Sequence, residues 1–368
     1  MKLLVQPGDN IVPLLEGIRT ARKTIQVAIF RSDSEEIELA LKDAVSRGVQ
    51  VHSLVANRNH GGEEDLSKLE SRLLEYGVTV VRTGNDLLRY HDKLMVVDGA
   101  RLFLMAFNLR HIDIERSRSF GIVTTNPKLV QETARLYEAD AKRQPYTVRT
   151  RNLVVSPLNA RQRLSDFIRK ARTQLLIYDP KVSDRAMITL LSDRKREGVE
   201  IKIIGKLANN PQGVEVRRLA HLRLHTRTMI CDGQLAFIGS QSLRREELDA
   251  RREVGIIFRD RRVISRLLKI FREDWSRAAP ARREGKHSSE MVRSAAKAVG
   301  RTVAEELPPV APAVESALKE IAGVKVNGSP EGKEVEAAVK GAVREAVAGA
   351  VERVVNHNAG VGQTATHE

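Results

Sequence analysis

His91-Asp92-Lys93-Leu94-Met95-Val96-Val97-Asp98 recurs further along the chain as His225-Thr226-Arg227-Thr228-Met229-Ile230-Cys231-Asp232, at an offset of 134. Each stretch sets a His, a long cation two positions on, an apolar run, and an Asp at its end. In an extended chain residues i and i+2 share a face. His91 and Lys93 are therefore expected to enter one pocket, and so are His225 and Arg227. Imidazole serves as nucleophile, acid or base near neutral pH, and a neighbouring cation steadies an anion.

The likeness extends outward from these stretches. Ala21-Arg22-Lys23-Thr24-Ile25 matches Ala171-Arg172-Thr173-Gln174-Leu175, and Gly48-Val49-Gln50-Val51 matches Gly198-Val199-Glu200-Ile201, both at an offset of 150. The first copy is thus the longer, and the excess is assigned to the polar loop Asn57-Arg58-Asn59-His60-Gly61-Gly62 and the helix-like stretch behind it. A polar side chain stands at the same distance behind each His, Asn108 in the first copy and Ser242 in the second. Further on, Glu253 follows His225, and Ser119 holds the matching place after His91. Ordered blocks with equal internal spacing point to duplication rather than to one chance motif.

Each half alternates strand and helix. Thr24–Phe30, Val49–Val55, Gln174–Tyr178 and Val199–Ile204 read as strands, with helices over Ser34–Arg47 and Ser183–Glu197. Behind the His motifs come Leu94–Val97, Leu102–Phe107 and Phe120–Thr124, then Met229–Cys231, Leu235–Ile238 and Val254–Phe258. Helices over Pro127–Lys142 and Arg261–Arg277 close the halves. The expected fold class is α/β: two duplicated α/β sandwich halves with mixed sheets and pseudo-twofold symmetry, plus a helical or partly disordered C-terminal tail. The expected domains are residues 1–146 and 147–279, then a tail over 280–368.

Composition separates the tail from the rest. The chain has 368 residues and a formal net charge of +15. Residues 280–368 carry 12 basic and 12 acidic side chains, so the whole excess lies before them, with all 14 aromatics. Without aromatics to anchor a core, the tail reads as an appendage. Its Val335, Val339, Val343, Val347, Val351 and Val355 recur at every fourth position beside alanines, a stripe winding slowly around a helix. The basic body favours anionic partners, either a phospholipid membrane surface or nucleic acid. One cysteine, Cys231, excludes an intramolecular disulfide and fits a reducing compartment. No apolar run approaches the ~18–20 residues of a membrane span. The expectation is a cytoplasmic chain, at most peripherally attached to membrane, and a monomer containing an internal pseudo-dimer.

On these residues the sequence resembles the phospholipase D superfamily. Its members carry two His-x-Lys-x-x-x-x-Asp motifs, each followed by a Gly-Ser-x-Asn-type segment and a later Glu. The resemblance covers about residues 10–277. The first copy keeps His91, Lys93 and Asp98, with Met105-Ala106-Phe107-Asn108 in place of Gly-Ser-x-Asn. The second keeps His225 and Asp232, has Arg227 for Lys, and carries Gly239-Ser240-Gln241-Ser242.

The resemblance implies one shared cleft in which His91 attacks phosphorus and His225 protonates the leaving oxygen. Water or an acceptor alcohol then releases the phosphohistidine. Lys93, Arg227, Asp98 and Asp232 complete the implied catalytic set, and Asn108, Ser240 and Ser242 the phosphate cradle, with no metal or other cofactor. Glu253 is placed by the pattern to orient His225, whereas Ser119 brings His91 no carboxylate, leaving Asp113 or Glu115 as alternatives. Phospholipid headgroup hydrolysis or phosphatidyl transfer is the leading expectation. The scarcity of aromatics argues against a stacking surface for single-stranded nucleic acid. A metal-independent nuclease and a degenerate member that binds phosphodiesters without cleaving them are the alternatives. His52, His60, His111 and His221 lack partners at ligand spacing, and Cys231 reads as a core thiol. The pairs Arg244-Arg245 and Arg251-Arg252 read either as guides for an anionic substrate or as a solvated face.

Overall fold

The computed structural model describes residues 1–57, 63–209, 211 and 213–280, with isolated positions 302, 341, 343, 346 and 347 beyond. The chain divides into one unit over Met1–Ala281 and another over Arg282–Glu368. The loop at 58–62 and most of the tail's valine stripe lie outside the described residues.

The first half runs β1 (Lys2–Gln6), α1 (Val12–Arg19), β2 (Thr24–Ile29), α2 (Glu35–Ser46), β3 (Gln50–Val55), α3 (Glu63–Glu75) and β4 (Thr79–Arg82). It continues through β5 (Arg89–Tyr90), β6 (Leu94–Val97), β7 (Arg101–Met105), α4 (His111–Glu115), β8 (Ser117–Thr124) and α5 (Pro127–Ala141). The second half runs β9 (Leu153–Ser156), α6 (Ala160–Arg169), β10 (Gln174–Val182), α7 (Arg185–Arg196), β11 (Glu200–Leu207), β12 (Glu215–Arg218) and β13 (Arg223–Leu224). Then come β14 (Arg227–Cys231), β15 (Leu235–Gly239), α8 (Arg245–Asp249), β16 (Arg251–Phe258), α9 (Arg261–Arg277) and β17 (Ala279–Pro280).

The strands form two mixed sheets. One has the order β1-β8-β7-β6-β2-β3-β4, and the other β17-β12-β11-β10-β14-β15-β16 with β9 also on β16. In each, a parallel βαβ pair (β2 with β3, β10 with β11) joins an antiparallel meander through β6 or β14. The twin α/β halves expected from the repeat are the observed architecture. The outer strands β1 and β9 were not anticipated, being short apolar runs without alternation.

Strand periodicity sorts the side chains between three cores. Leu94 and Val96, Leu102 and Leu104, and Phe120 and Ile122 point to a central core shared with Ile230, Ile238 and Ile256 of the second half. The alternate residues Met95, Val97, Phe103 and Met105 enter a core private to the first half, and Met229, Cys231 and Phe237 one private to the second. Helices α5 and α9 contribute Leu129, Leu136, Leu267 and Phe271 to the shared core. Burying Phe271 and Tyr178 there is worth roughly 1.5–3 kcal/mol apiece. The halves are thus joined through apolar packing as well as at the site.

Candidate active site

Each histidine hangs from the sheet of the opposite half. Strand β5 pairs in parallel with β16, Tyr90 opposite Arg252, and the His91 amide donates to the Arg252 carbonyl at 2.8 Å. Strand β13 pairs with β8 in the same manner, Leu224 opposite Arg118, and the His225 amide donates to the Arg118 carbonyl at 3.1 Å. This register brings His91 beside Glu253 and His225 beside Ser119. The His91 Nδ1 lies 2.9 Å from Glu253 Oε2, both side chains buried. The sequence-based expectation that Glu253 holds His225 is therefore corrected. The carboxylate that follows the second His along the chain serves the first imidazole, because β5 crosses between the halves.

The consequence of Ser119 moves with it. Ser119 is fully buried and its hydroxyl has no partner among the described residues. His225 instead has Asp113 Oδ1 at 3.4 Å from its Nδ1, too long for a good hydrogen bond, and that oxygen is also engaged by Arg223. The other Asp113 oxygen accepts from the Asn108 side chain at 2.6 Å and the Asn108 amide at 3.2 Å. Glu115 does not reach the site; it lies 3.5 Å from the exposed His111. His91 is the firmly oriented imidazole and His225 the loosely held one.

The cations follow the same symmetry. Lys93 Nζ donates to the His91 carbonyl at 2.6 Å, and Arg227 donates to the His225 carbonyl at 2.8 Å and to Ser242 Oγ at 3.2 Å. Ser242 is held in turn by Glu247, which accepts from its amide at 2.7 Å. Burial, then the charges of Lys93 and Arg227, hold His91 well below the usual histidine range. Burial, then Arg227, Arg223 and Lys93, do the same to His225. Each imidazole feels both cations, as groups that share one candidate site would. Burial lowers the Lys93 ammonium to about 7 against the pull of Glu253, and raises the Glu253 carboxyl to about 7 against the pull of Lys93 and Arg227. Two neutral imidazoles under a positive field form a receptor for a phosphate anion.

Three expectations change. Asp98 and Asp232, implied as catalytic, sit at the far ends of β6 and β14, about 20 Å of extended chain from their histidines. Asp98 accepts from the amides of Arg22, Lys23 and Thr24 at 2.9, 2.7 and 2.9 Å. Asp232 takes those of Arg172, Thr173 and Gln174 at 3.0, 2.9 and 2.9 Å. They pin the turns that open β2 and β10, which is why the Asp is repeated. Asp98→Ala should cost about 2 kcal/mol of stability in a urea titration while leaving kcat at the wild-type value; a loss of kcat beyond tenfold would return Asp98 to the catalytic set. Ser240 is committed to the sheet, accepting from the Val254 amide at 3.1 Å, so its hydroxyl braces β15 on β16 beside Glu253. Of the arginine pairs, Arg252 forms a buried bidentate pair with Asp140 at 2.9 and 3.0 Å, and Arg244 and Arg251 engage Glu247.

The Gly-Ser-x segment also gains a reason. Gly239 lies opposite Gly255, and a Cβ on Gly239 would stand 2.7 Å from the Gly255 Cα and 2.4 Å from the Gln241 side chain. Gln241 fills that space and donates to the carbonyls of Val154 and Glu253, both at 3.0 Å. In the first half Met105 faces Gly121 and the fully buried Phe107 takes the place of Gln241, an apolar solution to the same packing.

Sequence reasoning passed over Phe30 and Glu247. Phe30 packs edge-on to His91, ring centroids 4.4 Å apart, with Lys93, Arg31 and Arg89 around its ring at 5.2–5.4 Å. Its counterpart in the second copy is Pro180, so the repeat gives no signal for it. Glu247 was legible: Asp113 follows His91 at the same distance as Glu247 follows His225, and an acid at both places marks a shared duty.

Comparison with known proteins bears on the family and the fold. The family described as cardiolipin synthase, phospholipase D-like domain, matches residues 14–141 and 164–275. The polyphosphate kinase of Pseudomonas aeruginosa is 22% identical over 223 residues, which cover 55% of this chain and 32% of that protein. The chain therefore spans about a third of the length of the curated relatives it matches. Among solved structures, polyphosphate kinase from Porphyromonas gingivalis superposes with a TM-score of 0.64 at 20% identity, over 75% of this chain and 47% of that one. Phosphatidylserine synthase from Haemophilus influenzae gives 0.61 at 12% identity, over 76% of this chain and 87% of that one. At such identities the two structures share the fold.

Proposed function

Given that this chain belongs to the phospholipase D superfamily, we propose that it breaks and remakes phosphodiester bonds through a covalent phosphohistidine on His91, with glycerophospholipid as substrate. The observation that carries the chemistry is the 2.9 Å contact between His91 Nδ1 and the buried Glu253. With Glu253 ionised, Nδ1 keeps its proton and the Nε2 lone pair is free for phosphorus. The Nε2–P bond forms as the bond to the leaving oxygen breaks, and that oxygen takes a proton from His225. Water or an acceptor alcohol then gives its proton to His225 and attacks phosphorus, which releases His91. Lys93, Arg227 and Ser242 face the charge that gathers on the non-bridging oxygens.

The loosely held His225 suits the acid role. Its pKa, held low by burial and the neighbouring cations, rises when an anionic phosphodiester enters, so substrate binding brings the proton that the leaving group needs.

Support for a lipid substrate comes from exposed apolar side chains close to the site residues in sequence or register. Leu88, Ile112 and Leu158 are 53%, 43% and 47% exposed. Leu88 precedes His91 by three positions, and Ile112 adjoins Asp113. Leu158 lies two beyond Ser156, the register partner of Glu253. Exposed aliphatic side chains near cations fit a surface that meets anionic headgroups and the acyl boundary. No helix among the described residues is long and apolar enough to cross a membrane. The test is a parallel assay, with EDTA present, on phosphatidylglycerol and phosphatidylcholine vesicles and on single- and double-stranded DNA. Headgroup release or transfer to added alcohol is expected. Nicked DNA would assign the same chemistry to nucleic acid, and silence on both with salt-sensitive binding would leave a binding module. Turnover abolished by EDTA would remove the metal-free route.

The pH profile should be a narrow bell centred near neutrality. Glu253 must be ionised and Lys93 protonated, and burial brings both to about 7. As pH falls, Glu253 gains a proton and Nδ1 of His91 becomes an acceptor, which moves the ring proton to Nε2. As pH rises, Lys93 loses the charge that holds the phosphate. A kcat/KM profile flat from about pH 5 to 9 would contradict this assignment.

A further inference from the structure

A basic basin lies at the opposite end of the second-half sheet from the catalytic cleft. It encloses about 340 Å3 between α6 and the ends of β15 and β16. Arg163, Phe167 and Lys170 recur on one face of α6 and its C-cap and line it, with Arg151 and Arg259 on the facing loops. Those loops are fixed at one sheet end: the Ile257 amide donates to the Asn152 carbonyl at 2.9 Å, and the Asn152 side chain donates to the Ile257 carbonyl at 3.0 Å. The run of β16 from Glu253 to Phe258 sets the basin about 17 Å from the reacting groups.

The charges here are not mutually satisfied. Among the described residues Arg151, Lys170 and Arg259 make no side-chain hydrogen bond or ion pair. Arg163 reaches the Arg151 carbonyl at 2.7 Å, while its Nε is closed off from solvent with no partner among the described residues. The one acid lining the basin, Asp166, is 3.2 Å from Arg169. The duplicated half supplies an internal control. By the repeat offsets, Met1, Pro13, Thr20 and Thr125 stand where Arg151, Arg163, Lys170 and Arg259 do. The cations are thus an addition to the second half and not a requirement of its packing. A second cavity, of about 510 Å3 and also lined by Asn152, Phe258 and Arg259, adjoins it and adds Lys128.

We propose that this basin is a second anion site, separate from the catalytic cleft, that takes a small ligand carrying two or more linked phosphates. Guanidinium groups match phosphate oxygens in pairs, and the buried Phe167, Ile257 and Phe258 give the basin a rigid apolar floor. A few hundred cubic ångströms with cations on facing walls fits a compact oligophosphate or the phosphate arm of a nucleotide.

Calorimetric titration of the full chain with inorganic triphosphate and with ADP tests the site, using His91→Ala to remove the cleft chemistry and Arg151→Ala/Arg259→Ala to remove the basin. At least one probe should bind His91→Ala as it binds the wild type. The double variant should bind it at least tenfold more weakly, with turnover of a soluble phosphodiester unchanged. Lys170→Glu, on the exposed end of α6, should weaken the same probe and guards against misfolding of the double variant. Preference for triphosphate identifies an inorganic ligand, and preference for ADP a nucleotide. Absence of binding to His91→Ala at millimolar probe, or equal binding by the basin variants, overturns the proposal. Neither result depends on whether the cleft acts on lipid.

Discussion

His91→Ala should abolish turnover of every substrate, by a factor of at least ~10^4, and should leave no phosphorylated protein after quenching with labelled substrate. His225→Ala should behave differently. A general acid contributes about 10^2–10^4, and only where the leaving oxygen needs a proton. On a phospholipid the loss should fall in that range. On a nitrophenyl phosphodiester, whose leaving group departs as a stable anion, formation of the adduct should be nearly unimpaired. Its breakdown should slow, because no base then activates water, so label should accumulate on His91. The two histidines differ in their support: Glu253 lies within hydrogen-bond reach of His91, whereas Asp113 stands 3.4 Å from His225 and is shared with Arg223. Label found on His225, or equal losses for both variants on the activated substrate, would reverse the roles.

Lys93→Met should give a protein that is much less active and more stable. The ammonium is fully buried and held at about 7 rather than 10.5, so the native state resists its charge. At about 1.4 kcal/mol per pH unit this disfavours folding by several kcal/mol at most. Methionine of similar length, less the hydrogen bond to the His91 carbonyl, should recover about 2 kcal/mol. The sign of the pH dependence follows from linkage. Between pH 7 and 10.5 the unfolded chain holds the Lys93 proton and the folded chain does not, so wild-type stability from this group rises with pH. The advantage of the variant should be largest below pH 7 and should vanish toward pH 10.5. Activity should fall on the order of 10^3, since one fixed cation facing the transition state is gone and Glu253, without its neighbour, is protonated more readily. Melting curves on the acid and alkaline sides of this window, together with single-turnover assays, check both halves; a variant less stable than wild type on the acid side would refute the claim of a strained ammonium.

Much of the fold could be read from the chain because repetition doubles each signal. Leu94–Val97 and the helix read over Pro127–Lys142, observed as Pro127–Ala141, each show once as a pattern and again in their counterparts, and period-2 burial fixes which residues of β6 face which core. The two candidate histidines and the cation beside each were legible for the same reason. What stayed hidden was pairing across the duplication. Strands β5 and β13 span only Arg89–Tyr90 and Arg223–Leu224, too short for periodicity to register, yet they decide which carboxylate meets which histidine. The repeated Asp98 and Asp232 misled for a related reason: recurrence marks necessity, and capping three amides at a turn is as necessary to the fold as chemistry is to the reaction.

The crossing of β5 onto β16 and of β13 onto β8 bears on how such a chain can change over time. Neither half holds the whole candidate site; each lends its histidine to a wall built by the other. A substitution in one repeat is therefore felt as chemistry in its twin. Ser119 belongs to the first half yet stands beside His225 of the second, and Glu253 belongs to the second half yet holds His91 of the first. Such lending lets two once-equal histidines take up unequal trades without either repeat losing its shape. It also means that the halves, cut apart and expressed separately, should regain activity only on reunion, as two strangers holding each other's keys.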